Sequence, residues 1–198
     1  LYADRRVEKN DEGYIPYTPG QTIATENTTP FKIGTVNPKW NLGWRHGFNY
    51  KGINASVMFT ARIGGNVISK TQATLDRFGV SKTSADARET GYVMLGNIKM
   101  EPQDYYGTIY DLDSYYVYSA TNIRLQEASI GYTLPNKWFG NVVKNVNVSV
   151  YGTNLWMIYN KAPYDPELTA STGTFGQGYD YFMLPSSRTY GFSLKFGF

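Results

Sequence analysis

The last eleven residues, RTYGFSLKFGF (188–198), set two kinds of side chain on alternate positions. Tyr190, Phe192, Leu194, Phe196 and Phe198 form one series, and Thr189, Gly191, Ser193, Lys195 and Gly197 the other. A strand turns successive side chains to opposite faces, so this stretch predicts a two-faced strand, aromatic on one side and small or polar on the other.

Four more stretches carry the same alternation. WNLGWRHGFNY (40–50) sets Trp40, Leu42, Trp44, His46, Phe48 and Tyr50 against Asn41, Gly43, Arg45, Gly47 and Asn49. INASVMFTAR (53–62) sets Ile53, Ala55, Val57, Phe59 and Ala61 against Asn54, Ser56, Met58, Thr60 and Arg62. Residues 122–134 set Ala128, Ile130, Tyr132 and Leu134 against Glu127, Ser129, Gly131 and Thr133. Residues 145–156 set Val146, Val148, Val150 and Gly152 against Asn147, Ser149, Tyr151 and Thr153. Five strands of roughly 9–11 residues have the length that crosses a bilayer at a tilt. The apolar faces carry no Asp, Glu or Lys in their central parts, where a cation on a lipid face costs about 2–4 kcal/mol. Arg45, Arg62, Glu127 and Lys195 fall on the polar faces. His46 is the exception, mid-strand on the apolar side, and a neutral imidazole beside a carbonyl or an interfacial Tyr is the expectation for it.

Composition supports strands over helices. The 198 residues include 18 Tyr and 20 Gly, and long Ala/Leu/Glu/Lys stretches are missing. Without cysteine, neither a disulfide framework nor a thiolate metal site is available. A net charge of +3 with no clustered basic stripe argues against a nucleic-acid surface. No apolar run reaches the ~18 residues of a membrane helix. A mean hydropathy of −0.41 is compatible with a membrane barrel, because its strands alternate. The chain begins at Leu1, and we expect a mature or cut product, a fragment of something longer.

The connections alternate in length. A tight turn at Lys51-Gly52 and the link PNKWFGNVVKN are short, whereas residues 63–121 and 157–187 are long. Outer-membrane barrels have this asymmetry, and parity then places both long stretches and residues 1–39 outside the cell. Within 1–39, NDEG (10–13) reads as a turn between Arg5–Lys9 and Tyr14–Tyr17, a short hairpin. Trp40, Tyr50, Tyr132, Trp138 and Trp156, near strand ends, suit interfacial girdles. The expected fold is all-β: antiparallel strands (40–50, 53–62, 122–134, 145–156 and 188–198) forming the C-terminal part of a transmembrane β-barrel with long extracellular loops. The competing reading is a soluble β-sandwich, a lectin-like surface module with one buried face per sheet. Five strands fall short of the roughly eight that close the smallest barrels, so further strands must come from elsewhere.

Several ordered motifs resemble the SusC/RagA family. They are NPKWNLGWRHGFNYKGINASVMFTARIGG (37–65), ATLDRFGVSKTSADAR (73–88), SATNIRLQEASIGYTLP (119–135), VSVYGTNLW (148–156), APYDPEL (162–168) and the final strand. The resemblance covers about residues 30–198. It implies a TonB-dependent importer of glycans or peptides in the Bacteroidetes outer membrane, a plugged barrel of about 22 strands. The implied partners are the remainder of the same barrel, a SusD-like lipoprotein lid, TonB acting through an N-terminal part absent here, and outer-membrane lipid. The chain would supply the last five strands. Tyr190, Phe192, Phe196 and Phe198 would form the C-terminal signal read during barrel assembly. A passive porin-type channel, without plug or TonB, is a further alternative.

No catalytic set emerges, and neither enzymatic activity nor a cofactor is expected. Asp111-Leu112-Asp113 lacks the Gly and distal Glu of an EF-hand loop and reads as a solvated loop rather than a calcium site. The loop aromatics Tyr105, Tyr106, Tyr110, Tyr115, Tyr116 and Tyr118, with Tyr164, Tyr179, Tyr181 and Phe182, pair apolar rings with polar tips. They are candidate substrate contacts; packing between the loops or binding of the lid is the plainer role. In Tyr164-Asp165-Pro166-Glu167 a structural loop anchor is expected. Asn54-Ala-Ser56 and Asn147-Val-Ser149 match a glycosylation sequon by chance.

Overall fold

The computed structural model describes residues 1–138, 143–168 and 176–197. Twelve strands are described: β1 (Tyr2–Val7), β2 (Thr25–Lys32), β3 (Trp40–Tyr50), β4 (Ile53–Ile63), β5 (Asn66–Ser69), β6 (Val93–Leu95), β7 (Ile98–Met100), β8 (Val117–Ser119), β9 (Asn122–Thr133), β10 (Lys144–Asn160), β11 (Tyr179–Asp180) and β12 (Thr189–Gly197). Three helices lie between β5 and β8: α1 (Lys70–Arg77), α2 (Lys82–Thr90) and α3 (Pro102–Ile109). The chain divides into a wall unit (Pro38–Gly64, Ala120–Asp165, Pro185–Phe198) and a loop unit (Leu1–Asn37, Gly65–Ser119, Pro166–Leu184).

The wall unit is one antiparallel sheet in the order β12-β10-β9-β4-β3, an up-and-down meander. Among the described residues, no second sheet of this unit stacks on it. A sandwich needs two such layers, and this unit shows one. Lys51 and Gly52 form the two-residue turn between β3 and β4, both at positive φ (47° and 89°). Such turns match the twist of the strands they join. A Cβ on Gly52 would stand 2.9 Å from the Thr133 carbonyl oxygen, which binds this position to glycine twice over.

Register sorts the ends of the sheet. Ile53 pairs with Tyr132 and Lys144 with Gly197, so the tight turn, the end of β9, the start of β10 and the end of β12 share one end. Both long connections leave from the other end, where Trp40 pairs with Ile63. Strand β10 runs to Asn160, past the expected end at Trp156.

The loop unit mixes short strands and helices around two apolar clusters. Ile68, Ala73, Tyr106, Ile109, Leu112 and Tyr116 form the larger; Ile23, Leu95 and Met100 form the smaller. Ser69 caps α1 by accepting the Gln72 N–H (3.0 Å), and Ser81 caps α2 by accepting that of Ser84 (3.0 Å). Gly91 ends α2 in the left-handed region, and Pro102 opens α3. Strand β5 pairs antiparallel with β8 and parallel with β11.

The N-terminal hairpin differs from expectation. The NDEG turn forms, with Tyr14 N–H donating to Asn10 Oδ1 (2.8 Å) and Gly13 N–H to the Asn10 carbonyl (2.8 Å). The ladder partner of β1, however, is β2, not Tyr14–Tyr17. Tyr17 is drawn to α3 instead. Its hydroxyl donates to Asp104 Oδ2 (2.9 Å) and accepts the Glu101 N–H (3.0 Å). Asp104 is buried and also accepts the Gly20 N–H (2.8 Å), so leaving Tyr17 in a ladder would take a hydrogen bond from a buried carboxylate.

Candidate functional site

The ladder of the wall unit brings the alternating residues into rows. On the apolar side one row runs His46, Val57, Ala128, Gly152, Tyr190; the next runs Phe48, Ala55, Ile130, Val150, Phe192. A third runs Tyr50, Ile53, Tyr132, Val148, Leu194. Tyr190, Phe192 and Phe196 are 71, 77 and 55% exposed, a degree of aromatic exposure that a water-facing sheet avoids. Phe198 lies outside the described residues. Trp40, Tyr50, Tyr132, Trp138 and Trp156 are exposed as well. His46 stacks on Trp44 (centroids 5.8 Å apart, 25° between planes) and Trp44 on Phe59 (5.6 Å), so its ring is part of an aromatic stack.

Bulges keep this face apolar beyond the middle of the sheet. Met58 faces Glu127 but Phe59 faces Leu125, so Gln126 is an extra residue in β9. The slip puts Leu125 and Ile123 on the apolar side, where strict alternation from Ala128 would put Arg124. Strand β10 answers with Asn154 and Leu155, after which Trp156 faces Leu125.

The opposite face is polar and joined across strands. Arg45 donates to Glu127 Oε2 (2.7 Å), the Ser56 and Ser129 hydroxyls share a hydrogen bond (2.8 Å), and Asn147 Nδ2 donates to Thr133 Oγ1 (3.0 Å). Gly191 makes room for a ring: a Cβ there would meet Tyr151 at 2.6 Å.

The loop aromatics separate by burial. Tyr106 and Tyr116 are core residues. Tyr105, Tyr110, Tyr118 and Tyr179 pack half-buried around them. Arg77 lies over the Tyr110 ring (4.3 Å), and Tyr105 meets Tyr106 edge-on (5.1 Å). Tyr115, Tyr181 and Phe182 are exposed; the last two meet edge-on at 5.2 Å, and the Phe182 N–H donates to Thr71 Oγ1 (2.6 Å). Tyr164 is half-buried in the wall unit, its carbonyl accepting Asn160 Nδ2 (2.7 Å). Among the candidates, Tyr115, Tyr181 and Phe182 are thus the exposed ones. Asp111 and Asp113 turn to cations: Arg5 stands 3.6 Å from Asp111, and Lys70 pairs with Asp113.

Burial raises the tyrosine pKa values of this unit. Tyr105 is pushed up to about 12, first by desolvation and then by neighbouring tyrosines, and Tyr116 rises further, first by desolvation and then by the Asp76 charge and neighbouring tyrosines. The folded state therefore keeps these phenols protonated where the unfolded chain would ionise. The contribution of Tyr105 is whole below pH 10 and disappears as pH climbs through about 12. Tyrosinate absorbance during an alkaline titration should show a late-titrating group that collapses onto the ordinary range when the loop unit opens. The Tyr116 hydroxyl is buried without a hydrogen-bond partner among the described residues. Tyr116→Phe removes an unsatisfied group and should leave the unit's stability unchanged or raise it by ~1–2 kcal/mol, as read from denaturant-dependent amide exchange.

Three motifs singled out in the sequence meet in one buried cluster of the wall unit. Arg124 on β9 is 4% exposed. Its Nη2 donates to Asp165 Oδ1 (2.6 Å), and its Nη1 to Asp165 Oδ2 (3.1 Å) and Asn154 Oδ1 (3.2 Å). Asn154 sits at the β10 bulge with φ of 53° and donates from Nδ2 to the Ser187 carbonyl (3.1 Å). Asn160 braces the neighbouring turn, donating to the Ala162 carbonyl (3.0 Å) and accepting the Ala162 N–H (3.1 Å). Asp165 is the anchor expected of the Tyr-Asp-Pro-Glu motif; its guanidinium partner, 41 residues away, is what local sequence leaves out.

No family model matches the chain. Over 172 residues it is 26% identical to TonB-dependent receptor P3 of Formosa agariphila, a match covering 83% of this chain and 17% of that protein. Its backbone matches the RagAB peptide importer in an open-open state with a TM-score of 0.67, at 20% identity, over 100% of this chain and 22% of that one. The RagAB peptide transporter matches with a TM-score of 0.59, also at 20% identity, over 96% and 22%. The resemblance to TonB-linked outer-membrane proteins is borne out. The five-stranded sheet thus shares the fold of part of the RagAB importer chain, and this chain spans about a fifth of the chains it resembles.

Proposed function

We propose that the chain forms the last five strands and two extracellular loops of a SusC/RagA-like, TonB-dependent outer-membrane importer of peptides or glycans. The carrying observation is the register: three apolar rows cross all five strands, backed by a polar face with its own cross-strand bonds. Lipid suits the first face and a water-filled or plugged lumen the second. Among the described residues no further strand pairs with the outer edges of β3 and β12, and an edge left open in lipid costs several kcal/mol per lost bond. The remainder of the barrel, from strands beyond this chain, satisfies them.

Both long connections leave one end of the sheet, which supports placing them outside the cell, with the turn and the C-terminus in the periplasm. A SusD-like lipoprotein over the mouth and TonB from the periplasm are the partners of this reading, supported by the likeness to the RagAB importer. Tyr190, Phe192, Phe196 and Phe198 then serve as the assembly signal, and Tyr115, Tyr181 and Phe182 as the loop surfaces nearest to cargo. The work is binding and passage, without a catalysed reaction.

The test is fractionation followed by uptake. The protein should sediment with outer membranes, need detergent for release, and support import of labelled oligopeptides or oligosaccharides that stops when TonB is deleted. Release in buffer alone would restore the soluble binding module, and import unaffected by TonB loss would favour a passive channel.

A further inference from the structure

All three helices of the loop unit line one cavity of about 570 Å³. Helix α1 contributes Asp76 and Arg77, α2 Arg88, and α3 Gln103 and Tyr106, with Phe78 at the end of α1. Asp76 is 6% exposed. Its Oδ1 is fully used, accepting from Gln72 Nε2 (2.7 Å), Ser81 Oγ (2.5 Å) and Thr83 Oγ1 (3.1 Å). Its Oδ2 accepts no hydrogen bond among the described residues, and none of their cations forms an ion pair with it. A buried carboxylate with one oxygen open calls for a donor.

The same lining holds donors that lack acceptors. Arg88 forms no ion pair among the described residues. Its guanidinium lies so close over Gly79 that a Cβ there would collide with Nη1. No side chain caps α3, so the Gln103 N–H in its first turn has no partner within the helix. Phe78 adds a flat apolar ring, 72% exposed. Two guanidiniums, Arg77 and Arg88, balance two carboxylates, Asp76 and Glu101, so the lining carries no net charge. Arg77 is already engaged over the Tyr110 ring (4.3 Å). Among the described residues no three His, Cys, Asp or Glu side chains gather to hold a metal ion, so a hydroxyl suits Asp76 better than a bare cation. The open groups call for a neutral ligand that donates and accepts at adjacent atoms and carries an apolar face. A sugar ring has both: neighbouring hydroxyls, and a C–H face that stacks on an aromatic ring.

We propose that this cavity binds one neutral sugar ring, with a hydroxyl donating to Asp76, an adjacent one accepting from Arg88, and the ring face on Phe78. The site goes beyond the importer reading. Binding in the loop unit requires neither passage nor TonB, so failed import leaves it standing.

The experiment is saturation-transfer NMR on the full-length protein, in a detergent without a sugar headgroup. The probes are the methyl glycosides of glucose, galactose, mannose, xylose and rhamnose, with dialanine as a zwitterionic comparison. At least one glycoside should receive saturation, strongest at the protons of one ring face, and dialanine none. Phe78→Ala and Arg88→Met should each weaken that glycoside's binding about tenfold. Asp76→Asn keeps the shape, turns the open acceptor into a donor, and should weaken it at least as much.

Transfer that persists unchanged in all three variants places the sugar elsewhere and overturns the proposal. Transfer to dialanine alone makes the cavity a site for zwitterions, and transfer to no probe leaves it without a ligand of this class; either overturns it as well. If Asp76→Asn raises amide exchange across 66–119, that variant has opened the unit. Phe78→Ala and Arg88→Met then decide, since both side chains are exposed.

Discussion

Val57→Arg should abolish assembly of the barrel, while Ser56→Arg one residue away should leave it assembled. Val57 lies near the middle of β4, between His46 on β3 and Ala128 on β9 in the central apolar row. An arginine there must enter the hydrocarbon or bend toward an interface several residues distant. The cost is about 2–4 kcal/mol at mid-depth, on a sheet whose neighbours offer no counter-ion on that face. Ser56 points the opposite way, opposite Gly47 and Ser129, on the side that carries the Arg45–Glu127 pair. Heat-modifiable migration and protease resistance in outer membranes read the difference. Equal behaviour of the two variants would mean that lipid does not cover the Val57 face, and the membrane reading would fall with it.

Ile68→Ala should open the loop unit and spare the wall. Ile68 is fully buried, packs in the cluster with Tyr106, Ile109, Leu112 and Tyr116, and pairs with both β8 and β11. Truncating a buried isoleucine costs about 2–5 kcal/mol. A unit built from short strands and helices of eight or nine residues has little stability to lose. Amide exchange should rise across 66–119 and at Tyr179–Asp180, while the ladder from β3 to β12 stays protected and the barrel still assembles. Loss of protection in both units together would show that they fold as one cooperative body.

The contrast between these two substitutions follows what was legible in the chain. The Val57/Ser56 opposition is visible in the sequence, because alternation at period two is a property of neighbouring residues. The same holds for the turn at Lys51-Gly52 and for the final strand. The helices left weaker traces: Ser69-x-x-Gln72, Ser81 before a polar run, Gly91 and Pro102 are capping signals that a composition poor in helix formers conceals. Tyr106 and Tyr115 look alike as residues, yet one is core and the other exposed, since a tyrosine's fate depends on what packs against its ring.

By itself the sequence determined the five wall strands, their two faces and the alternation of short and long connections, because strand geometry converts a local pattern directly into a surface. Only the tertiary structure decided the rest. It placed the Gln126 bulge that turns Leu125 to the apolar side and Arg124 to the polar one, paired Tyr179 with Ile68 across 111 residues, and brought Asp165 to Arg124. Each of these joins depends on which distant groups can satisfy a buried carboxylate, an apolar ring or a strand edge. That competition is settled by the energy of the assembled contacts and leaves no period in the chain to read.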